Sequence, residues 1–245
     1  MNRIFKKLGG AILFPVKHIL NKLFITDIYR RLADIEYRSF NRRFYAIHQT
    51  TEYLIGAQIP GDYLEFGVFQ GTTFIYAYSQ MSLYFRSMKF IAFDSFEGLP
   101  IPKGIDAVNG YSSNFNKAEF LCTEDEFVKK LVESKVDLQR IVTVKGWFNN
   151  TLILKNAKNY GLEKIAVAWI DCDLYESTVP VLKFITPYLS IGSVIIFDDW
   201  RCFRNHPDYG EQRACREWLD ANPNITLNEL FSFGWNGIAF TITSC

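Results

Sequence analysis

The sequence predicts an α/β fold with a doubly wound, mostly parallel β-sheet, a C-terminal antiparallel hairpin and helices before the first strand. Two observations support this prediction. Short apolar runs alternate with segments of helical spacing, and the runs are apolar on both faces, as in a sheet covered by helices on both sides. The chain has 245 residues, of which 49% are hydrophobic, so it can bury one sizeable core.

The elements follow in a regular order. An amphipathic helix is predicted from Ile28 to Leu54, before the break at Pro60-Gly61. The predicted strands cover residues 63–68, 90–93, 141–144, 165–170 and 194–197, and the helices between them cover 72–85, 123–132, 150–160 and 176–189. A last helix over 211–220 precedes two alternating runs, 227–233 and 238–242, joined at Asn236-Gly237 as a hairpin.

The first 25 residues form a separate basic amphipathic segment, and residues 26–245 are predicted to form a single domain. Five basic residues precede the first acid, Asp27. They are Arg3, Lys6, Lys7, Lys17 and Lys22. The segment is open to three interpretations: peripheral contact with the inner membrane surface, packing on a partner subunit, or a helix that covers the domain's own core. A secretory signal fits poorly, because Lys17 and His18 follow the apolar stretch and no cleavage site is visible.

Overall charge and cysteine content exclude several classes of protein. Lys and Arg total 27 against 26 Asp and Glu, so net charge gives no argument for binding nucleic acid. Five cysteines without paired spacing argue against a disulfide framework and a zinc cluster, and indicate a reducing, cytoplasmic setting. No apolar run reaches the roughly 18 residues of a membrane-spanning helix.

Residues at the strand ends are the candidate binding residues, because ligands of doubly wound sheets bind beyond the carboxyl ends of the strands. The first strand runs into a loop containing Glu65, Gly67 and Gly71, followed by Thr72. The glycines allow close approach to a ligand, and Glu65 suits a cationic group such as an amino group. The loop lacks the three glycines of a dinucleotide site, and plain turn chemistry is the alternative.

The next two strands end in residues that suit a nucleoside. Asp94, followed by Ser95, is placed to accept hydrogen bonds from ribose hydroxyls, although both residues are also common caps. Gly146 and Trp147 follow the third strand, where Trp147 either flanks an adenine or packs in the core.

Four carboxylates follow two further strands: Asp171 and Asp173, then Asp198 and Asp199. Clustered like charges beside an apolar sheet resist desolvation, and a bound cation removes that conflict. Oxygen ligands without Cys or His favour Mg²⁺, Ca²⁺ or Mn²⁺ over zinc. Solvated loop acids are the alternative.

The motifs at 65–71, 93–100, 170–178 and 197–200 together resemble the macrocin-type O-methyltransferases, which methylate deoxysugar hydroxyls of macrolide and aminocoumarin antibiotics. The resemblance implies a Rossmann-like class I fold, S-adenosylmethionine (SAM) as cofactor, Mg²⁺ dependence and a homo-oligomer. It places the metal on Asp171, Asp198 and Asp199, and gives Asp171 or Asp173 as the catalytic base. The SAM site would comprise Glu65, Gly67, Gly71, Thr72, Asp94, Ser95, Gly146, Trp147 and Asp171.

The expected reaction is methylation of a hydroxyl on a sugar, a glycan or a glycosylated small molecule. His206, in the loop 201–212 that is expected to cover the substrate, is an alternative base. A metal-dependent glycosyltransferase is the competing hypothesis, because Asp171-Cys172-Asp173 also resembles the acidic element that holds a nucleotide sugar through Mn²⁺.

Overall fold

A computed structural model describes residues 42–107, 117–153 and 158–245. The chain divides into two compact units, Met1–Arg42 and Arg43–Cys245, and the second unit carries the sheet. The basic segment 1–25 and the helical pattern before residue 42 lie outside the described residues, so both stay predictions.

Seven strands and six α-helices make up the described part of the chain. The strands are β1 Asp62–Phe66, β2 Phe90–Asp94, β3 Ile141–Lys145, β4 Ile165–Ile170, β5 Val194–Phe197, β6 Thr226–Phe233 and β7 Gly237–Ser244. The helices are α1 at 42–57, α2 Thr72–Met81, α3 Glu124–Glu133, α4 Phe148–Thr151, α5 Tyr175–Ile185 and α6 Gly210–Ala221.

The strands form one sheet in the order β3-β2-β1-β4-β5-β7-β6. β1 to β5 are parallel, while β7 runs antiparallel to both β5 and β6. The doubly wound sheet and the terminal hairpin are therefore confirmed. The strand order reverses direction between β1 and β4, and such a point is where ligands of α/β sheets bind.

The strand register places the predicted site residues at the same edge of the sheet. Phe66 pairs with Phe93 and with Ile170, and Ile170 pairs with Phe197. The residue after each of these four positions therefore lies at the same edge of the sheet. These residues are Gly67, Asp94, Asp171 and Asp198.

Two hydrophobic clusters cover the two faces of the sheet, as alternation along the strands requires. In β4, Ala168 and Ile170 belong to one cluster and Val167 and Trp169 to the other, and all four side chains are fully buried. The sheet thus offers a rigid base from which the polar residues at the strand ends project.

The helix predicted over 150–160 is wrong. α4 ends at Thr151, and Leu152 leaves the helical region with ψ 55° and joins the core. The next described residues, Lys158 to Tyr160, form a short 3-10 turn. The last three residues of α4, Asn149, Asn150 and Thr151, have low helix propensity, which is consistent with a helix of only four residues.

None of the helices within the described residues combines the length and the apolar character needed to cross a membrane.

Candidate active site

The loop after β1 depends on glycine at two positions. Gly67 has φ 89°, and a Cβ atom there would lie 1.9 Å from the backbone oxygen of Asp171. Gly71 has φ 76°, and its Cβ would lie 2.7 Å from the ring of Phe127. The ends of β1 and β4 can therefore approach this closely only without a side chain at Gly67. Thr72 begins α2 and is exposed.

Asp94 holds this loop from the neighbouring strand. Its Oδ2 atom accepts hydrogen bonds from the backbone N–H of Val68 at 2.8 Å and of Phe69 at 3.1 Å, and Oδ1 accepts from Phe96 at 2.7 Å. Ser95 is also engaged locally, because its hydroxyl donates to the Gly98 carbonyl at 3.0 Å. The capping alternative is therefore realised for both residues, and their contact with a ribose stays a prediction.

Glu65 is fully buried under the loop, with 1% of its surface exposed. Its Oε2 atom accepts a hydrogen bond from the Tyr63 hydroxyl at 2.5 Å. Burial raises the pKa of Glu65 to about 8, against the opposing effects of Tyr63 and Arg43. The carboxyl group is therefore poised to ionise near neutral pH when a cationic group approaches it.

The third strand contributes Gly146 and Trp147. The Gly146 N–H donates to the backbone oxygen of Asp94 at 2.9 Å, which ties the end of β3 to the end of β2. Trp147 precedes α4 and is partly exposed, so its ring is accessible to a ligand at this edge.

Asp171, Asp198 and Asp199 form one acidic cluster. Each offers a carboxylate oxygen, and these oxygens lie within 4.8 Å of one another. Asp198 is fully buried and Asp199 is 6% exposed. Burial raises the pKa of Asp171 well above its ordinary value, and Asp198 and Asp199 add to the effect. A compact set of hard oxygen ligands that repel one another fits a divalent cation such as Mg²⁺.

Asp199 is positioned by three further side chains. Its backbone N–H donates to Glu211 Oε2 at 3.0 Å. Its Oδ1 atom accepts from Cys202 Sγ at 3.0 Å and from Asn236 Nδ2 at 3.2 Å. Glu211 and Asn236 are each 1% exposed, so the support around Asp199 is rigid and buried. The sequence carries no local signal for this role of Glu211, and it predicts Asn236 only as a turn residue.

Of the three candidate bases, Asp171 belongs to the cluster, and Asp173 and His206 lie outside it. Asp173 lies outside the three-residue cluster but interacts with Asp199, and it adopts a left-handed backbone conformation with φ 58°. Burial, followed by Asp199 and Asp171, raises the pKa of Asp173 well above its ordinary value. His206 is about half exposed and accepts a hydrogen bond from the Asp208 N–H at 3.2 Å, in a loop that is not part of the acidic cluster.

An unexpected residue, Arg43 of α1, lies against the cluster. Its guanidinium group forms ion pairs with Asp171 and Asp198. No local pattern predicts this contact, because Arg43 precedes its partners by 128 and 155 residues. The one signal in the sequence is indirect: clustered acids need a cation nearby, and a basic side chain can supply it.

Comparison with known proteins identifies the family. The family model described as macrocin-O-methyltransferase (TylF) matches residues 39–222, which include every strand end described above. The chain belongs to the TylF macrocin-O-methyltransferase family.

Curated relatives of this family support the match. Demethyldecarbamoylnovobiocin O-methyltransferase from Streptomyces niveus is 30% identical over 167 residues, which are 65% of this chain and 60% of the relative. The 8-demethyl-8-(2,3-dimethoxy-alpha-L-rhamnosyl)-tetracenomycin-C 4'-O-methyltransferase from Streptomyces olivaceus is 28% identical over 162 residues, again 65% and 60% of the two chains. The chain thus spans about three fifths of the length of these relatives.

A solved structure confirms the fold. The O-methyltransferase NovP superposes with a TM-score of 0.68 at 25% identity, over 82% of this chain and 80% of that chain. The Rossmann-like class I methyltransferase fold implied by the sequence motifs is therefore confirmed. These proteins are methyltransferases, so the glycosyltransferase hypothesis gains no support from them.

Proposed function

We propose that this protein is a SAM-dependent O-methyltransferase that acts on a hydroxyl of a sugar carried by a small molecule, with a divalent cation bound to Asp171, Asp198 and Asp199. The observation that carries the proposal is the convergence of the acidic cluster and the Gly67 loop at one edge of the sheet. This convergence occurs in a chain of the TylF family.

The loop residues suit the methyl donor. The absence of a side chain at Gly67 would let a ligand approach the backbone closely, and the buried Glu65 carboxylate would pair with a cationic amino group. Asp94 keeps the loop in place through the amides of Val68 and Phe69, and its Oδ1 atom, which accepts one hydrogen bond from Phe96, would also accept one from a ribose hydroxyl. Trp147 and Ser95 complete the proposed nucleoside site.

The acidic cluster suits activation of the acceptor. A bound Mg²⁺ would supply Lewis-acid chemistry, which lowers the pKa of a coordinated hydroxyl. Within the protein, Asp171 or Asp173 would accept the hydroxyl proton, since Asp171 belongs to the cluster, Asp173 interacts with Asp199, and burial raises the pKa of each. Glu211 and Asn236 would keep Asp199 in place, so that the acceptor and the methyl donor stay aligned.

A sugar acceptor is supported by the relatives. The name of the Streptomyces olivaceus relative gives a rhamnosyl compound as its acceptor, and the family is named after macrocin. Because the chain spans only about three fifths of those relatives, the acceptor is proposed as a class, a sugar-bearing small molecule.

The proposal is tested by turnover and ligand binding in parallel. Purified protein, SAM and Mg²⁺ are incubated with a panel of glycosylated acceptors, and mass spectrometry measures products with one added methyl group. We expect Asp198→Ala to lower turnover at least about 10²-fold. Asp220→Ala is the matched control, because Asp220 is an exposed acid near the end of α6, outside the cluster and outside the loop 201–212.

Thermal-shift titration separates the two enzyme classes. We expect stabilisation by SAM and by its demethylated product. Stabilisation only by a nucleotide sugar with Mn²⁺ would overturn the methyltransferase proposal. In the turnover assay, methyl transfer that persists in Asp198→Ala and in the presence of a chelator would show that the reaction does not need the metal.

A further inference from the structure

Arg43 contacts all four oxygen atoms of two proposed metal ligands. Its Nε atom donates to Asp198 Oδ1 at 3.2 Å and to Oδ2 at 3.1 Å. Its Nη2 atom lies 3.1 Å from Asp171 Oδ1 and 3.0 Å from Oδ2, and donates to Asp198 Oδ2 at 2.5 Å. The guanidinium group therefore contacts the same carboxylate oxygens that would hold a divalent cation.

The charge of Arg43 offsets the charge of the cluster. Burial alone would lower the pKa of Arg43, but attraction to Asp171 and Asp198 more than reverses this, so the pKa lies above its ordinary value and the group stays cationic. Asp198 is fully buried, and a buried carboxylate without a counter-charge strongly destabilises a fold. Arg43 thus supplies the cation that the cluster needs when no metal is bound.

The position of Arg43 allows exchange. The Arg43 side chain is 32% exposed, whereas the Asp198 side chain is 0% exposed, so part of the Arg43 side chain reaches solvent while Asp198 does not. Arg43 lies in α1, whose described residues begin at 42. Its long side chain can leave the carboxylates by rotation about its own bonds, while the strands that carry the acids stay fixed.

We propose that Arg43 is an internal competitor of the divalent cation: it neutralises the acidic cluster in the metal-free protein, and metal binding displaces it. This inference rests on the proposed metal site. Arg43 and the metal need the same oxygen atoms, so only molecules in which Arg43 has left the cluster can bind the metal. The apparent metal affinity of the native protein is therefore the intrinsic affinity multiplied by the fraction of such molecules.

The test is direct measurement of Mn²⁺ binding to the full-length protein without SAM, by electron paramagnetic resonance and calorimetry. Arg43→Met keeps most of the side-chain length and removes the charge. We expect it to bind Mn²⁺ about tenfold more tightly or better than the native protein. We also expect Arg43→Met to be less stable than the native protein without metal and to gain more stability from Mn²⁺.

Two further variants keep the test decisive. Arg213→Met is the matched control, because Arg213 pairs with the exposed Glu217, and its Mn²⁺ affinity should equal that of the native protein. Arg43→Lys keeps a cation but loses the paired N–H donors, so it should fold even if Arg43→Met does not, with an affinity above the native value.

Each outcome has one meaning. Equal Mn²⁺ affinities in the native protein and both Arg43 variants, or weaker binding in the variants, overturn the role of Arg43 and leave the metal site standing. Absence of Mn²⁺ binding in all of the proteins overturns the metal site and, with it, the competition. Tighter binding in the Arg43 variants but not in Arg213→Met supports the inference.

Discussion

The side-chain amide of Asn236 donates a hydrogen bond of 3.2 Å to Asp199 Oδ1. Asn236 lies in the turn between β6 and β7, so this bond ties the tip of the C-terminal hairpin to the acidic cluster at the end of β5. The Arg201 N–H also donates to the Asn236 backbone oxygen at 3.0 Å, which holds the turn in place. The hairpin therefore supports the candidate site as well as extending the sheet.

Removal of the Asn236 amide should weaken cation binding. In Asn236→Ala, Asp199 loses a buried donor that fixes its orientation, and loss of such a supporting hydrogen bond typically costs about 10- to 100-fold in metal affinity. Mn²⁺ titration monitored by calorimetry measures the change. The adjacent Trp235 is 65% exposed, so Trp235→Ala is the control and should keep the native affinity. Unchanged affinity in Asn236→Ala would show that Asp199 is held without the hairpin.

A side chain at Gly67 should disrupt the loop after β1. In Gly67→Ala, the new methyl group would overlap the Asp171 backbone oxygen at 1.9 Å, and φ 89° is unfavourable for alanine. We expect a loss of about 1–3 kcal/mol in unfolding free energy from strain of this kind, together with loss of SAM binding. Urea unfolding and calorimetry measure the two effects.

Gly56 provides the matched control for this substitution. Gly56 lies in α1, and a Cβ atom there would meet nothing within 4 Å. Gly56→Ala should therefore raise the unfolding free energy by up to about 1 kcal/mol and leave SAM binding unchanged. Equal behaviour of Gly56→Ala and Gly67→Ala would contradict the steric account of the loop.

The sequence was sufficient to predict the sheet because its strands are buried on both faces and read as short, continuous apolar runs. The predicted strand at 165–170 coincides with β4, Ile165–Ile170, for this reason. The grouping of Asp171, Asp198 and Asp199 was also predictable, since parallel strands bring their carboxyl ends to one edge.

Contacts between distant parts of the chain could not be predicted in the same way. Arg43 lies on the polar side of an amphipathic helix, where spacing alone does not distinguish a solvated arginine from one paired with Asp198, 155 residues later. Asn236 suits a hairpin turn whether or not its amide reaches Asp199, so its local sequence carries no signal of the second role.

Binding of SAM should become tighter as pH rises towards 8, through Glu65. Burial raises the pKa of Glu65 to about 8, with Asp198 and Asp94 adding to the effect and Tyr63 and Arg43 opposing it. In our proposal the cationic amino group of SAM favours the ionised carboxylate, so binding releases a proton. Between pH 6 and 7.5 the affinity should rise by a factor approaching about tenfold per pH unit.

The matched variant for this pH dependence is Glu65→Gln, which keeps the size of the side chain and cannot ionise. Its SAM affinity should be weaker at pH 7.5 and nearly constant between pH 6 and 7.5, as measured by calorimetry. Glu65→Gln should also remove a pH dependence of the folding stability, which runs in the opposite direction to that of SAM binding. The folded-state pKa of about 8 lies above the unfolded value, so the native protein loses stability as pH rises through that range, whereas the variant does not. Parallel pH profiles of SAM affinity in the two proteins would exclude Glu65 as the partner of the amino group.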